Sequence, residues 1–157
     1  MFRKVSRAAP PLAAIISAAL LAACSGGAVE VPPPTPDAAT GVLCGRLQER
    51  LPQTLAGAAR GRTEPASEYT MVWGDPAIAL RCGVPRPEGL MPTSELTVVN
   101  DISWLPLPPD KPTSYTAVGR EAYVEVTLPG DYRAPDVLVT LSDTISAVIP
   151  SKPAGVL

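Results

Sequence analysis

The sequence predicts an α+β domain: an antiparallel sheet of about four to five strands, with an N-terminal and a C-terminal helix packed on one face. Three observations predict it. Leu43, Leu47 and Leu51 recur every fourth residue beside Cys44, the spacing that builds one apolar helix face. Apolar and polar residues then alternate through 69–84 and again through 121–128, the period of a half-buried strand. Val137, Leu138, Leu141, Ile145 and Val148 return to helical spacing before Pro150.

A segment of different character precedes these elements. Arg3, Lys4 and Arg7 stand before the apolar run 12–21, which is too short to span a bilayer comfortably, so residues 1–23 read as a signal peptide. The run ends in Leu21-Ala22-Ala23-Cys24, which resembles the lipobox of bacterial lipoproteins: small residues admit the peptidase and the Cys24 thiol takes a diacylglyceryl group. Two acyl chains on one thioether suffice for stable anchoring where a single chain is marginal. The expected address is the outer face of the cell membrane, with lipid on Cys24 as the membrane partner. Residues 24–39 hold Gly26, Gly27 and the run Val31-Pro32-Pro33-Pro34-Thr35-Pro36, and read as a proline-rich tether. The domain is expected at 40–150 and a tail at 151–157.

Removing the signal leaves 134 residues, the length of one domain. Ten basic and fifteen acidic residues lie beyond position 23, a formal charge of −5 that argues against nucleic acid as a partner. With only Lys111 and Lys152 as lysines and the arginines scattered, the sequence supports no basic cluster for a membrane surface, and the lipid has to do the holding. Once Cys24 carries lipid, Cys44 and Cys82 remain in a compartment where thiols oxidise, and they are expected to pair.

Within the domain, the first helix starts at a cap on Thr40 or Asp37 and stops at Pro52. Gly57, Gly61 and Pro65 mark 56–67 as a connecting loop. A hairpin follows around Gly74-Asp75-Pro76, with Cys82 on the same face as Ile78 and Leu80, so a bond to Cys44 staples the helix to the sheet. After a proline-rich loop, 96–99 and 102–105 form an extended piece with a turn or bulge at Asn100-Asp101, ended by Pro106. Strands at 115–118 and 121–128 meet at Gly119-Arg120, and Asp136 suits the first turn of the last helix.

Trp73-Gly74-Asp75-Pro76, Leu80-Arg81-Cys82-Gly83-Val84, Val99-Asn100-Asp101-Ile102-Ser103-Trp104 and Val118-Gly119-Arg120 with Val124-Glu125-Val126 resemble an actinobacterial envelope family, domain of unknown function 3515. The resemblance covers Gly41 to Pro150 and implies a small secreted or lipid-anchored protein with no catalytic motif to carry over. Two positions depart from it. Asp101 stands where glycine is expected, and Tyr123 where a small residue or proline is expected.

With no histidine in the chain, Ser-His-Asp and Cys-His arrangements and the usual zinc sites cannot be built, and no cofactor or metal is implied. Glu121 and Glu125 share one strand face and are the carboxylates an acid–base glycosidase would need, although exposed strands carry such residues for solubility. Possible binding residues are Trp73 and Trp104 as an aromatic shelf, Asp75 as a ligand contact, and Arg81 and Arg120 as anion partners. Each has a plainer reading: core anchors for the tryptophans, a turn for Asp75, and ion pairs with Asp75 or Glu125 for the arginines.

Three functions follow. The thin catalytic inventory favours a non-enzymatic, membrane-tethered module that binds an envelope protein or cell-wall ligand. A carboxylate-dependent envelope hydrolase requires Glu121 and Glu125 in one cleft. A solute-binding lipoprotein requires a deep pocket near Trp73 or Trp104.

Overall fold

A computed structural model describes residues 27–157, so the expected signal peptide and Cys24 lie outside the described residues. In chain order the elements are β1 (Val29–Glu30), α1 (Ala38–Arg50), β2 (Thr54–Leu55), β3 (Ala58–Ala59), β4 (Thr63–Glu64), β5 (Thr70–Trp73), β6 (Ile78–Cys82), β7 (Thr97–Val99), β8 (Ile102–Leu107), β9 (Ser114–Val118), β10 (Val124–Thr127) and α2 (Ala134–Val148).

The class is α+β, and the main sheet is antiparallel in the order β5-β6-β10-β9-β8-β7. It has six strands rather than four or five. Asn100 and Asp101 adopt φ of 45° and 63° and reverse the chain, so 97–99 and 102–107 pair with each other instead of forming one bulged piece. Asp101 thus occupies the left-handed geometry that glycine takes without strain, which is why glycine is expected there. β8 also runs through Pro106, because β7 ends opposite Trp104 and leaves an edge where a missing N–H is tolerated. The strand expected at 121–128 is shorter, Val124–Thr127, and Glu121 falls in the preceding bend.

Both helices start earlier than the apolar periodicity indicates. Asp37 is the cap of α1: its carboxylate accepts the Thr40 backbone N–H at 2.8 Å, and that bond holds Asp37 below the ordinary carboxylate range. α2 takes Pro135 into its first turn, where a missing N–H loses no helical bond, rather than leaving it in the loop.

Strand register sets Met71, Leu80 and Val126 in one row and Cys82, Val124, Ala117 and Trp104 in the next row of the same face. These side chains form one buried cluster with Cys44, Leu47 and Leu51 from the first helix and Val137, Leu138, Leu141 and Ile145 from the second. A disulfide joins Cys44 to Cys82, with Cα atoms 5.6 Å apart, and ties α1 to β6.

The tether reading needs correction over Val29–Pro34. β1 pairs in parallel with β4, Val31 is 4% exposed, and the Arg81 Nε–H donates to the Pro32 carbonyl at 3.1 Å. The prolines signal extended backbone but conceal the buried side chains, Val31 and Pro34, that dock it. Residues 56–67 likewise contain β3 and β4, strands of two residues each, too short to show any alternation.

Candidate functional site

On the face of the sheet opposite the helices, Thr70, Arg81, Glu125 and Thr116 stand side by side across four strands. Arg81 Nη1 and Glu125 Oε1 form an ion pair at 3.1 Å with both side chains about a third exposed or less, at 32% and 27%. Arg81 is therefore committed to an acid and to the Pro32 carbonyl, its plainer reading.

Beyond this row the loop after β6 and the segment after α2 come together around Tyr123. A small cluster of Leu90, Leu105 and Val118, with Leu96, Leu107 and Leu157 packed on it, supports them. Lys152 is positioned by its own backbone N–H bonding to the Gly119 carbonyl at 3.0 Å, and by the adjoining bridge between Arg120 and Ser151. Arg86 is braced by a bond from Nη2 to the Leu90 carbonyl at 3.0 Å.

From these supports three donors converge on the main-chain oxygen of Leu157: Arg86 Nη1 at 3.0 Å, the Tyr123 hydroxyl at 3.0 Å and Lys152 Nζ at 3.2 Å. The Tyr123 oxygen itself accepts from Lys152 at 3.1 Å and from Arg86 at 3.4 Å, and the ammonium lies 4.5 Å from the ring centroid. Burial of the phenol opposes its ionisation, but the hydrogen bonds and charges of Lys152 and Arg86 outweigh it and hold Tyr123 below the ordinary tyrosine range. Two cations and a phenol hydroxyl, here around the chain's own Leu157 oxygen, make a set of donors suited to a carboxylate or a polarised carbonyl. A cleft of about 350 Å³ adjoins it, with Asp37, Thr40, Gly83, Arg86, Glu121 and Tyr123 on its walls.

The residues singled out from sequence are mostly elsewhere. Trp73 and Trp104 are fully buried, with Nε1 donating at 2.9 Å to the Pro52 carbonyl and to the Ser142 hydroxyl, so no aromatic shelf exists. Arg120 is 9% exposed and donates to the carbonyls of Ile149 at 3.0 Å and Asp101 at 3.2 Å, so it clamps the end of α2 to the β7–β8 turn rather than binding an acid. Asp75 is exposed in the β5–β6 turn. Glu121 reaches the cleft, whereas Glu125 is paired with Arg81 and is not on its walls. Cys24 lies outside the described residues.

Nothing in the sequence pattern brings Tyr123, Arg86 and Lys152 together, because 86, 123 and 152 meet only through the fold. The departure at Tyr123 was the available signal: a large phenol replaces a small residue in a loop.

A second cleft, about 520 Å³, lies where β1 meets β4, lined by Ala28, Arg60, Arg62, Glu64, Ser67 and Thr70 among others. Among the described residues no helix is long and apolar enough to cross a membrane.

A family model described as a protein of unknown function (DUF3515) matches residues 8–154. No curated protein and no solved structure matches the chain.

Proposed function

We propose that this chain, which belongs to the DUF3515 family of proteins of unknown function, is a non-enzymatic binding module of the cell envelope, held on the outer face of the membrane through lipid on Cys24. The convergence of Arg86, Lys152 and Tyr123 on one oxygen carries the binding part of this reading. The ligand or partner displaces the Leu157 oxygen from that cluster with a carboxylate or carbonyl oxygen of its own and fills the cleft beside it. The cluster is built from donors fixed in place, and the two glutamates that acid–base hydrolysis would need do not share the cleft. Leu21-Ala22-Ala23-Cys24 after a basic, apolar leader supports the address.

Crosslinking and co-purification from solubilised membranes test the reading, with wild-type protein beside Arg86→Gln/Lys152→Gln and a secreted Cys24→Ser form. A reproducible envelope partner or cell-wall ligand, lost in the double variant and depleted without the anchor, is the expected result. A partner retained by the double variant removes the cleft from the account.

A further inference from the structure

We infer that the cleft between β1 and β4 is a docking site for the phosphate of an anionic phospholipid, so that this face of the domain lies on the membrane. The inference rests on the proposed lipid at Cys24. The domain holds its N-terminal segment from Val29 onward: Val29 N–H donates to the Arg62 carbonyl at 2.9 Å and Val31 N–H to the Glu64 carbonyl at 3.1 Å. Only Ser25, Gly26, Gly27 and Ala28 separate Cys24 from that fixed point. Fully extended, five Cα steps reach about 17 Å. A lipid on Cys24 therefore keeps β1, and the cleft that Ala28 itself lines, within that distance of the headgroups.

The chemistry of the cleft matches what it would meet there. Arg60 and Arg62 both line it, on either side of Gly61, against a single carboxylate, Glu64. Arg60 makes one long bond, Nη1 to the Gln48 carbonyl at 3.5 Å, and the Arg62 side chain has no ion pair or hydrogen bond among the described residues. Hydroxyls of Thr63, Ser67 and Thr70 share the lining. A planar guanidinium takes a phosphate through two parallel N–H donors, and a chain with formal charge −5 beyond position 23 gathers two of its ten cations here. Arg60 and Arg62 thus outnumber the one acid that lines the cleft where the chain leaves for its anchor.

Amide hydrogen exchange on the full lipidated protein tests this, in vesicles of phosphatidylcholine alone and of phosphatidylcholine mixed with phosphatidylglycerol. Exchange across residues 60–70 slows in the anionic vesicles, by about fivefold for each arginine engaged, and that slowing disappears in Arg60→Gln/Arg62→Gln. The loop 108–113 serves as the unaffected control. Equal exchange in both vesicles, a slowing that survives the double variant, or the same slowing on adding inorganic phosphate to phosphatidylcholine vesicles each overturns the inference. Mass analysis of Cys24 in the same sample separates the two claims: no acyl mass removes the anchor, whereas acyl mass without lipid dependence removes only the docking site.

Discussion

The two faces of the main sheet are covered in different ways. Behind one face, α1 and α2 meet the rows around Leu80, Val124 and Trp104 in a continuous apolar cluster, and the Cys44–Cys82 bond closes it covalently. The other face carries Thr70, Arg81, Glu125 and Thr116 beside Leu105 and Val118, and its cover comes from β1 and the prolines after it at one side and the region around Lys152 and Leu157 at another. Apolar burial is worth about 25 cal/mol per Å², so the helix-facing side dominates stability. The second face buries less apolar surface, in the smaller cluster of Leu90, Leu105 and Val118. Substitutions of the apolar residues on the first face should unfold the protein; substitutions of the polar side chains on the second should change what it binds.

The largest expected effect is Trp104→Ala, which empties a fully buried indole site and strands the Ser142 hydroxyl. It should lower stability by about 3–5 kcal/mol in urea denaturation. Replacing Cys44 and Cys82 together by alanine should cost about 4 kcal/mol, because the bond closes a separation of 38 residues. The same loss should follow reduction of the wild type. Gly83→Ala should cost about 1–3 kcal/mol: Gly83 has φ +83°, and a Cβ there would come within 2.7 Å of Pro36. Across the sheet, Arg81→Gln with Glu125→Gln should change stability by less than about 1 kcal/mol, since the pair is partly exposed. A loss as large as that of Trp104→Ala would mean that the Arg81–Glu125 pair holds the fold as strongly as the helix-covered core.

The smallest effect is also the most local. Tyr123 ionises below the ordinary tyrosine range, while hydrogen bonding to Glu68 lifts Tyr69 above it. An ultraviolet absorbance titration should therefore show one early tyrosine, and Lys152→Gln should move that step upward. Because the folded value is the lower one, the unfolded chain holds more protons between it and about pH 10, so this group's contribution to stability rises with pH across that window.

The helices, the disulfide and the β5–β6 hairpin were legible because each depends on a local period or a residue with few alternative roles. Cys82 alternates in phase with Ile78 and Leu80, and Cys44 sits on the Leu47 face, so both cysteines point to one core. The β7–β8 turn was half legible: Asn100-Asp101 marked a reversal, but only positive φ at both positions separates a hairpin from a bulge. The docking of Val29–Pro34 was hidden, since one buried valine and one buried proline in a proline run make no recognisable period. The candidate site was the least legible part. Arg86, Tyr123 and Lys152 are far apart in the chain, and apart from the family departure at Tyr123 nothing distinguishes them from solvated surface residues. Conversely, Trp73 and Trp104 drew attention by rarity, and their volume placed them in the core.

The proposed lipid sits on Cys24, five residues before Val29, whose N–H bonds into the domain. Intact mass spectrometry of the protein extracted from membranes tests this most directly. The predicted result is a chain beginning at Cys24 that carries the added mass of a diacylglyceryl group on that residue. A chain beginning elsewhere, or beginning at Cys24 with a free thiol, would contradict it.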